Sequence, residues 1–205
     1  FDGLAEDQDL LMKCFTGYIL GSTSPSAIMD LDGEKIRDNF DAITNGLKSA
    51  VDFLKGELHL HALQYVPYPA LIVSLVKFFG SPRKNGFHYS DKQRQQLIKW
   101  FWRSCFSRRY SSGVNSAHAS DLIAMEKLQR DENAEIATFR CHIPDDFFTS
   151  NSFAITSVNT RTFIALLASK GPKSFISGSN VDLSETLKRA SKKEFHHIFP
   201  DKYLK

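Results

Sequence analysis

Two adjacent histidines near the end of the chain, His196 and His197, are the strongest candidates for chemistry. A neutral imidazole is a good metal ligand and the usual general base near neutral pH. Neighbouring side chains of a regular strand point to opposite faces, so the pair serves one site only if the backbone turns there, which Pro200 favours. Because an adjacent pair of histidines is by itself more often structural than catalytic, the flanking residues decide between the two interpretations.

A second candidate is a basic and aromatic segment, because residues 92–120 contain no acidic residue. Its cations are Lys92, Arg94, Lys99, Arg103, Arg108 and Arg109, and Trp100, Phe101, Trp102, Phe106 and Tyr110 lie among them. This pattern suits a phosphate backbone, since every neutralised phosphate releases counterions. The alternative is an amphipathic helix with a solvated basic face and an aromatic core stripe.

Within that segment, four residues are our candidates for binding nucleic acid. Arg108, Arg109 and Tyr110 lie where a predicted helix ends, and a helix-to-loop junction leaves side chains free to reach a ligand. Arg103 is the fourth. Lys192 and Lys193, in a basic strip just ahead of the histidine pair, are either solvated or placed to meet DNA approaching the site. The weaker pattern His59-x-His61 predicts a turn or surface role rather than a metal site, because no Asp, Glu or Cys follows closely.

The run Glu194-Phe195-His196-His197-Ile198-Phe199-Pro200 resembles the opening of an HNH (ββα-metal) nuclease motif. It is most similar to the DUF1524 branch, found in modification-dependent and phage-defence nucleases of the GmrSD type. The resemblance implies that His197 is the general base and His196 a metal ligand. It also implies a Mg²⁺-class ion and DNA as the substrate. In that mechanism His197 takes a proton from water, and the hydroxide attacks a phosphodiester.

The segment from Phe101 to Gly113 supports the resemblance, because it is similar to the aromatic and Arg-Tyr-Ser segment in the helical region that joins DUF262 to DUF1524. The resemblance implies further parts: a DUF262 part upstream, which would bring a nucleotide, and downstream a second strand and a helix with an Asn or His. The chain starts at Phe1 and ends at Lys205. We therefore expect a fragment that holds half an active site and does not cleave DNA alone.

Helical periodicity dominates the rest of the chain, and these helices must position the candidate residues. The clearest stripe is Ile36, Phe40, Ile43, Leu47, Val51, Leu54 and Leu58, with Asp32 as its predicted N-cap. Further helices are predicted from Leu4 to Tyr18, ending at Gly21; from Ala70 to Phe79; from Ser90 or Asp91 through Cys105; from Asn115 or Ser116 through Leu128; and after Asn159. Residues 139–153 are predicted to be irregular.

These elements predict a mainly α fold: a multi-helix bundle with a short C-terminal strand that would begin a ββα-metal unit. We expect a helical domain over residues 1–170, a loop or linker over 171–180, and the truncated start of an HNH domain over 181–205. The strand is predicted within residues 193–200, an aromatic and β-branched stretch bounded by proline.

The composition is that of an ordinary globular protein, with 205 residues, 42% hydrophobic and 24% charged. It excludes a disordered chain and a disulfide scaffold. The formal net charge of +3 is too small to prove a polyanionic partner. Three scattered cysteines favour reduced thiols in the cytoplasm, and no apolar run approaches the roughly 18 residues that span a bilayer.

Two hypotheses follow from the sequence. The first is a piece of a metal-dependent DNA endonuclease of the HNH type, in a modification-dependent restriction or phage-defence protein. The second is a helical interaction or scaffold module without catalytic activity, which positions neighbouring domains, a partner subunit or a second copy of the chain.

Overall fold

The computed structural model describes residues 1–80, 89–150 and 152–181. This part of the chain is mainly helical, as the sequence predicts. Its elements are α1 (Gln8–Leu20), α2 (Pro25–Met29), α3 (Gly33–Leu58), the 3-10 helix η1 (Leu63–Tyr65), α4 (Leu71–Gly80), α5 (Asp91–Phe106), α6 (Val114–Arg130) and α7 (Val158–Ser169). Only two isolated β-bridges occur in it, Asp2 with Ala62 and Lys173 with Asn180. The strand predicted within residues 193–200 lies outside the described residues.

The long helix α3 confirms the clearest periodic stripe. Asp32 caps its N-terminus, because the Asp32 carboxylate accepts a hydrogen bond from the backbone N–H of Glu34 at 3.1 Å. From Ile43 onward the stripe faces the core: Ile43, Leu54 and Leu58 are buried, and Leu47 and Val51 are partly buried. Phe40 is 51% exposed. The first turns of α3 therefore extend beyond the core, while its later turns pack on it.

The centre of the fold is α4, of which nine of the ten residues are buried. It packs against α1, α3 and α6. Lys77 is its one side chain that is not fully buried, and the ammonium group reaches Glu126 on α6 at 2.7 Å and the backbone carbonyl of Tyr18 at 2.8 Å. An all-round apolar helix can be stable only inside other helices, so α1, α3 and α6 form a shell around α4.

Two glycines bring α3 and α4 into backbone contact. A Cβ added to Gly46 would lie 2.8 Å from the backbone of Gly80, and a Cβ added to Gly80 would lie 2.9 Å from the carbonyl oxygen of Ala42. Neither distance is compatible with any larger residue unless a helix moves. The hydroxyl of Tyr18 on α1 donates to the Gly80 carbonyl at 3.0 Å, which ties three helices together at one point.

Helix termini show where the sequence prediction was accurate and where it was not. Ser90 caps α5 with a full capping box that includes Gln93. In contrast, α6 begins at Val114 after Gly113, which has φ +62° and no side-chain cap. The N-cap of α7 is Ser157 rather than Asn159. The short helix α2 is not predicted from the sequence, because the Ser-Pro run is assigned there to the end of α1.

Residues 139–150 and 152–153 form no helix, as predicted, and contact α5 and α7 through Phe139 and Phe147. After α7 the chain makes a turn closed by the bridge between Lys173 and Asn180. At the tip of this turn the side chains of Phe175 and Ile176 are fully exposed. Among the described helices, none combines the length and the apolar character that crossing a bilayer would need.

Candidate nucleic-acid interface

The candidate interface is the junction where α5 ends and α6 begins. The end of α5 is closed by two backbone hydrogen bonds, from the N–H of Arg108 to the Cys105 carbonyl at 3.2 Å and from the N–H of Arg109 to the Ser104 carbonyl at 3.0 Å. This is the Schellman pattern, which places its C′ residue in the left-handed region and favours glycine there. Arg108 occupies that position with φ +52°. A turn from Arg108 to Ser111 then leads into α6.

Arg109 does not point into solvent but forms a paired interaction with Asp121 on α6. Its Nε donates to Oδ2 at 2.8 Å and its Nη2 donates to Oδ1 at 2.8 Å. The side chains are 15% and 2% exposed. The guanidinium also lies 4.0 Å from the ring centre of Phe139. The Nε–Nη2 edge and one face of the Arg109 guanidinium are thus engaged within the fold.

Tyr110 is buried and shares the same carboxylate, because its hydroxyl donates to Asp121 Oδ2 at 2.5 Å. Burial, followed by the nearby Asp121 charge, raises the pKa of Tyr110 well above its usual value. The Tyr110 ring lies between the rings of Tyr68, with centres 5.7 Å apart, and His118, with centres 5.1 Å apart. Arg109, Tyr110 and Asp121 are called the junction triad below.

Arg103 also uses its charge inside the fold. Its guanidinium donates to the carbonyl oxygen of Phe139 and lies 5.7 Å from the ring centre of that residue. The thiol of Cys141 donates to the carbonyl oxygen of Arg103 at 3.7 Å. Arg103 therefore fastens the irregular segment to the last turn of α5.

Arg108 is the exposed member of the predicted set. Its guanidinium lies 5.5 Å from the ring centre of the buried Phe147, and it forms no ion pair with any described residue. Lys99 is also exposed, and no carboxylate of the described residues pairs with it. The positive charge that this region presents to solvent is accordingly carried by Arg108 and Lys99.

The remaining cations of the basic segment are paired with carboxylates from elsewhere in the chain. Arg94 binds Glu57 on α3 at 2.7 Å, and Lys92 lies 3.4 Å from Glu132. The segment itself lacks acidic residues, but these cations pair with carboxylates that are distant in sequence. The Lys92 pair is exposed and the Arg94 pair is partly exposed, so each contributes little to stability.

His118 is a second buried polar residue near the junction. Its Nδ1 lies 2.7 Å from the hydroxyl of Thr23, and its Nε2 lies 3.1 Å from the carbonyl oxygen of Ala70. A neutral ring that donates from Nε2 and accepts at Nδ1 satisfies both contacts. Burial lowers the pKa of His118 below 6.5, which agrees with the neutral form.

The sequence prediction missed Asp121 and its role. A signal was present: Asp121 lies one turn after Ala117 and one turn before Met125, on the apolar face of α6. A carboxylate on a buried face is rare unless it is paired. The position of Asp121 on this face therefore predicts a basic partner.

His196, His197, Lys192 and Lys193 lie outside the described residues. Within the described ranges no group of three or more histidine, cysteine or acidic side chains could hold a metal ion. His59 and His61 line a cavity of about 300 Å³ together with Gly171 and Val181, and both are exposed.

Comparison with known proteins identifies no relative: no family model, no curated protein and no solved structure matches this chain.

Proposed function

We propose that this chain is part of a metal-dependent DNA endonuclease of the HNH type, in a modification-dependent restriction or phage-defence protein. The observation that carries the proposal is the run of residues 194–200, in which an acidic residue, two histidines, an aliphatic residue and a proline follow one another in the order of the HNH opening. The segment from Phe101 to Gly113 supports it, because it stands upstream in the order that the resemblance requires.

The chemistry assigned to this chain is proton transfer and metal binding. His197 takes a proton from water, and an imidazole in this role contributes about 10²–10⁴-fold to the rate. His196 is the metal ligand. A Mg²⁺-class ion supplies neutralisation of the charge that develops on the scissile phosphate and the departing oxygen. A nucleotide belongs to the proposed DUF262 part.

The described helices contribute a rigid support for a contact with DNA. Because the junction triad holds the loop after α5, the exposed guanidinium of Arg108 has a fixed backbone beneath it. Arg108 and Lys99 are the cations that can meet phosphates without breaking an internal ion pair. Arg103, Arg109 and Tyr110, proposed from the sequence as further contacts, would need their internal partners to be replaced by the ligand.

The catalytic proposal is tested on the full-length gene product with plasmid DNA and Mg²⁺. We expect His197→Ala and His196→Ala to abolish cleavage, while His142→Ala, a matched exposed histidine, cleaves at the parental rate. Far-ultraviolet circular dichroism establishes that each variant is folded. Parental cleavage by His197→Ala removes this residue from the mechanism.

The binding proposal is tested on the same protein by fluorescence anisotropy with duplex DNA over a range of salt concentrations. Arg108→Gly deletes the cation at a backbone position that suits glycine, so the fold is preserved. We expect weaker binding and a salt dependence that is shallower by about one phosphate contact. Arg130→Ala, which removes an exposed arginine at the far end of α6, is the control. Equal affinity for all three proteins excludes Arg108 from the interface.

A second candidate function is a helical scaffold without catalytic activity. It is favoured by the contacts that Arg103, Arg109 and Tyr110 make with Phe139 and Asp121 inside the fold. These contacts give the three residues a structural role that needs no DNA. The two functions differ in both experiments: a scaffold leaves the plasmid intact with Mg²⁺ and binds no duplex DNA at low salt.

A further inference from the structure

A cavity of about 410 Å³ lies between the start of α7 and the segment that joins α3 to α4. Its lining residues are Asp2, Gly3, Ala62, Leu63, Gln64, Pro69 and Arg161. It shares no lining residue with the junction triad and lies apart from the candidate nucleic-acid interface.

Arg161 contributes a cationic guanidinium to the lining of this cavity. Its side chain is half-buried, and its Nε donates to the carbonyl oxygen of Ile155 at 2.8 Å, which fixes the guanidinium. No carboxylate of the described residues forms an ion pair with it, and its two terminal nitrogens have no hydrogen-bond acceptor there. A half-buried guanidinium whose terminal nitrogens have no acceptor in the fold can bind an anion through charge-assisted hydrogen bonds.

Arg161 differs in this respect from the other half-buried arginines of the described chain. Arg109 has the Asp121 carboxylate, Arg94 has Glu57, and Arg103 has the Phe139 carbonyl together with its ring. Burial lowers the pKa of Arg161, and no carboxylate opposes that effect.

We propose that this cavity is a binding site for a small ligand that carries an oxyanion, a phosphate or a carboxylate, held by the terminal nitrogens of Arg161. A fixed guanidinium matches two oxygens of either group through parallel hydrogen bonds. Leu63, Pro69 and Ala62 form apolar walls for the body of the ligand, and Gln64 adds an amide at the rim.

The test is a titration of the ¹⁵N-labelled full-length chain with sodium phosphate and, separately, with sodium acetate, with sodium chloride at matched ionic strength as reference. We expect saturable shifts of the Gly3 and Gln64 amide signals with at least one of the two anions. Response to phosphate alone, to acetate alone or to both identifies the group that the cavity takes.

Arg161→Gln is expected to weaken this binding by at least about tenfold, since a charge-assisted hydrogen bond is removed. Arg37→Gln, which deletes an exposed arginine on α3, keeps the parental affinity. Arg161→Lys retains the charge but loses the two parallel N–H donors, so its affinity should lie between those of Arg161→Gln and Arg37→Gln. This variant keeps the test decisive if Arg161→Gln does not fold. Absence of saturable shifts with both anions, or equal affinity in the Arg161 and Arg37 variants, overturns the proposal.

Discussion

Arg109 and Asp121 bind each other through two parallel hydrogen bonds, at 2.8 Å from Nε and 2.8 Å from Nη2, although twelve residues separate them in the chain. The pair joins the loop after α5 to the middle of α6. Tyr110 adds a third hydrogen bond to the same carboxylate. The carboxylate therefore has three donors and is 98% removed from solvent, since its side chain is 2% exposed.

Asp121→Asn tests whether this pair stabilises the fold. The amide keeps the shape but removes the charge, which leaves the Arg109 guanidinium without its anion in a poorly hydrated place. We expect the free energy of unfolding in urea to fall by about 3–5 kcal/mol. Asp9→Asn breaks the exposed pair with Lys13 on α1 and should cost about 0–1 kcal/mol. Similar small losses in both variants would contradict a structural role for the junction triad.

Gly46→Ala and Gly80→Ala test the backbone contact between α3 and α4. Each adds a Cβ within 2.9 Å of the opposite helix, so we expect losses of about 1–3 kcal/mol in the free energy of unfolding. Gly56→Ala is the matched control on α3, because nothing lies within 4 Å of its Cβ position. Alanine there should raise stability by up to about 1 kcal/mol, because helix propensity improves. The midpoints of chemical denaturation of the three variants test this expectation. A Gly46→Ala protein as stable as the wild type would show that the two helices can move apart without cost.

Arg108→Gly tests the cost of the left-handed backbone at the end of α5. Glycine adopts φ +52° without a steric penalty, whereas Arg108→Ala keeps the penalty and also loses the side chain. We expect the glycine variant to be about 1 kcal/mol more stable than the alanine variant. Both variants lose the same guanidinium, so thermal denaturation separates backbone strain from charge. If the alanine variant is as stable as the glycine variant, the position carries no strain.

His118 predicts a pH dependence of stability. Burial lowers its pKa in the folded state below the ordinary value of 6.5. Above pH 6.5 the ring is neutral in both states and contributes fully. As the pH falls below 6.5, the unfolded chain takes up a proton that the folded chain refuses, so stability decreases until the lower folded pKa is reached.

The urea midpoint should therefore decrease between pH 7.5 and pH 5, and His118→Gln should reduce that decrease. His142→Gln, at an exposed histidine, should leave the decrease unchanged. An identical pH profile for wild type and His118→Gln would rule out His118 as its source.

Patterns within one element predicted most of the fold. The stripe of α3 and the capping signals of Asp32 and Ser90 depend on neighbours three or four residues away, so the sequence contains all the information they need. The end of α1 at Gly21, with φ +67°, is of the same kind.

Tertiary partners explain the features that could not be predicted. Asn159 and Ser157 are both good N-caps, but the Asn159 amide donates to the carbonyl oxygen of Phe147 at 2.5 Å, and Ser157 takes the cap. The same applies to the basic segment, where Asp121 and Glu57 come from other helices. Local sequence shows which groups are present, and only the fold shows which of them are already engaged.

The buried position of α4 has a consequence for how the chain folds. A helix of ten residues is too short to persist alone in water. The helix α4 packs against α1, which precedes it in the chain, and against α6, which follows much later. The helices α1, α3, α4 and α6 should therefore form in a single cooperative step, and separate expression of α1 to α4 or of α5 to α7 should yield unfolded polypeptide.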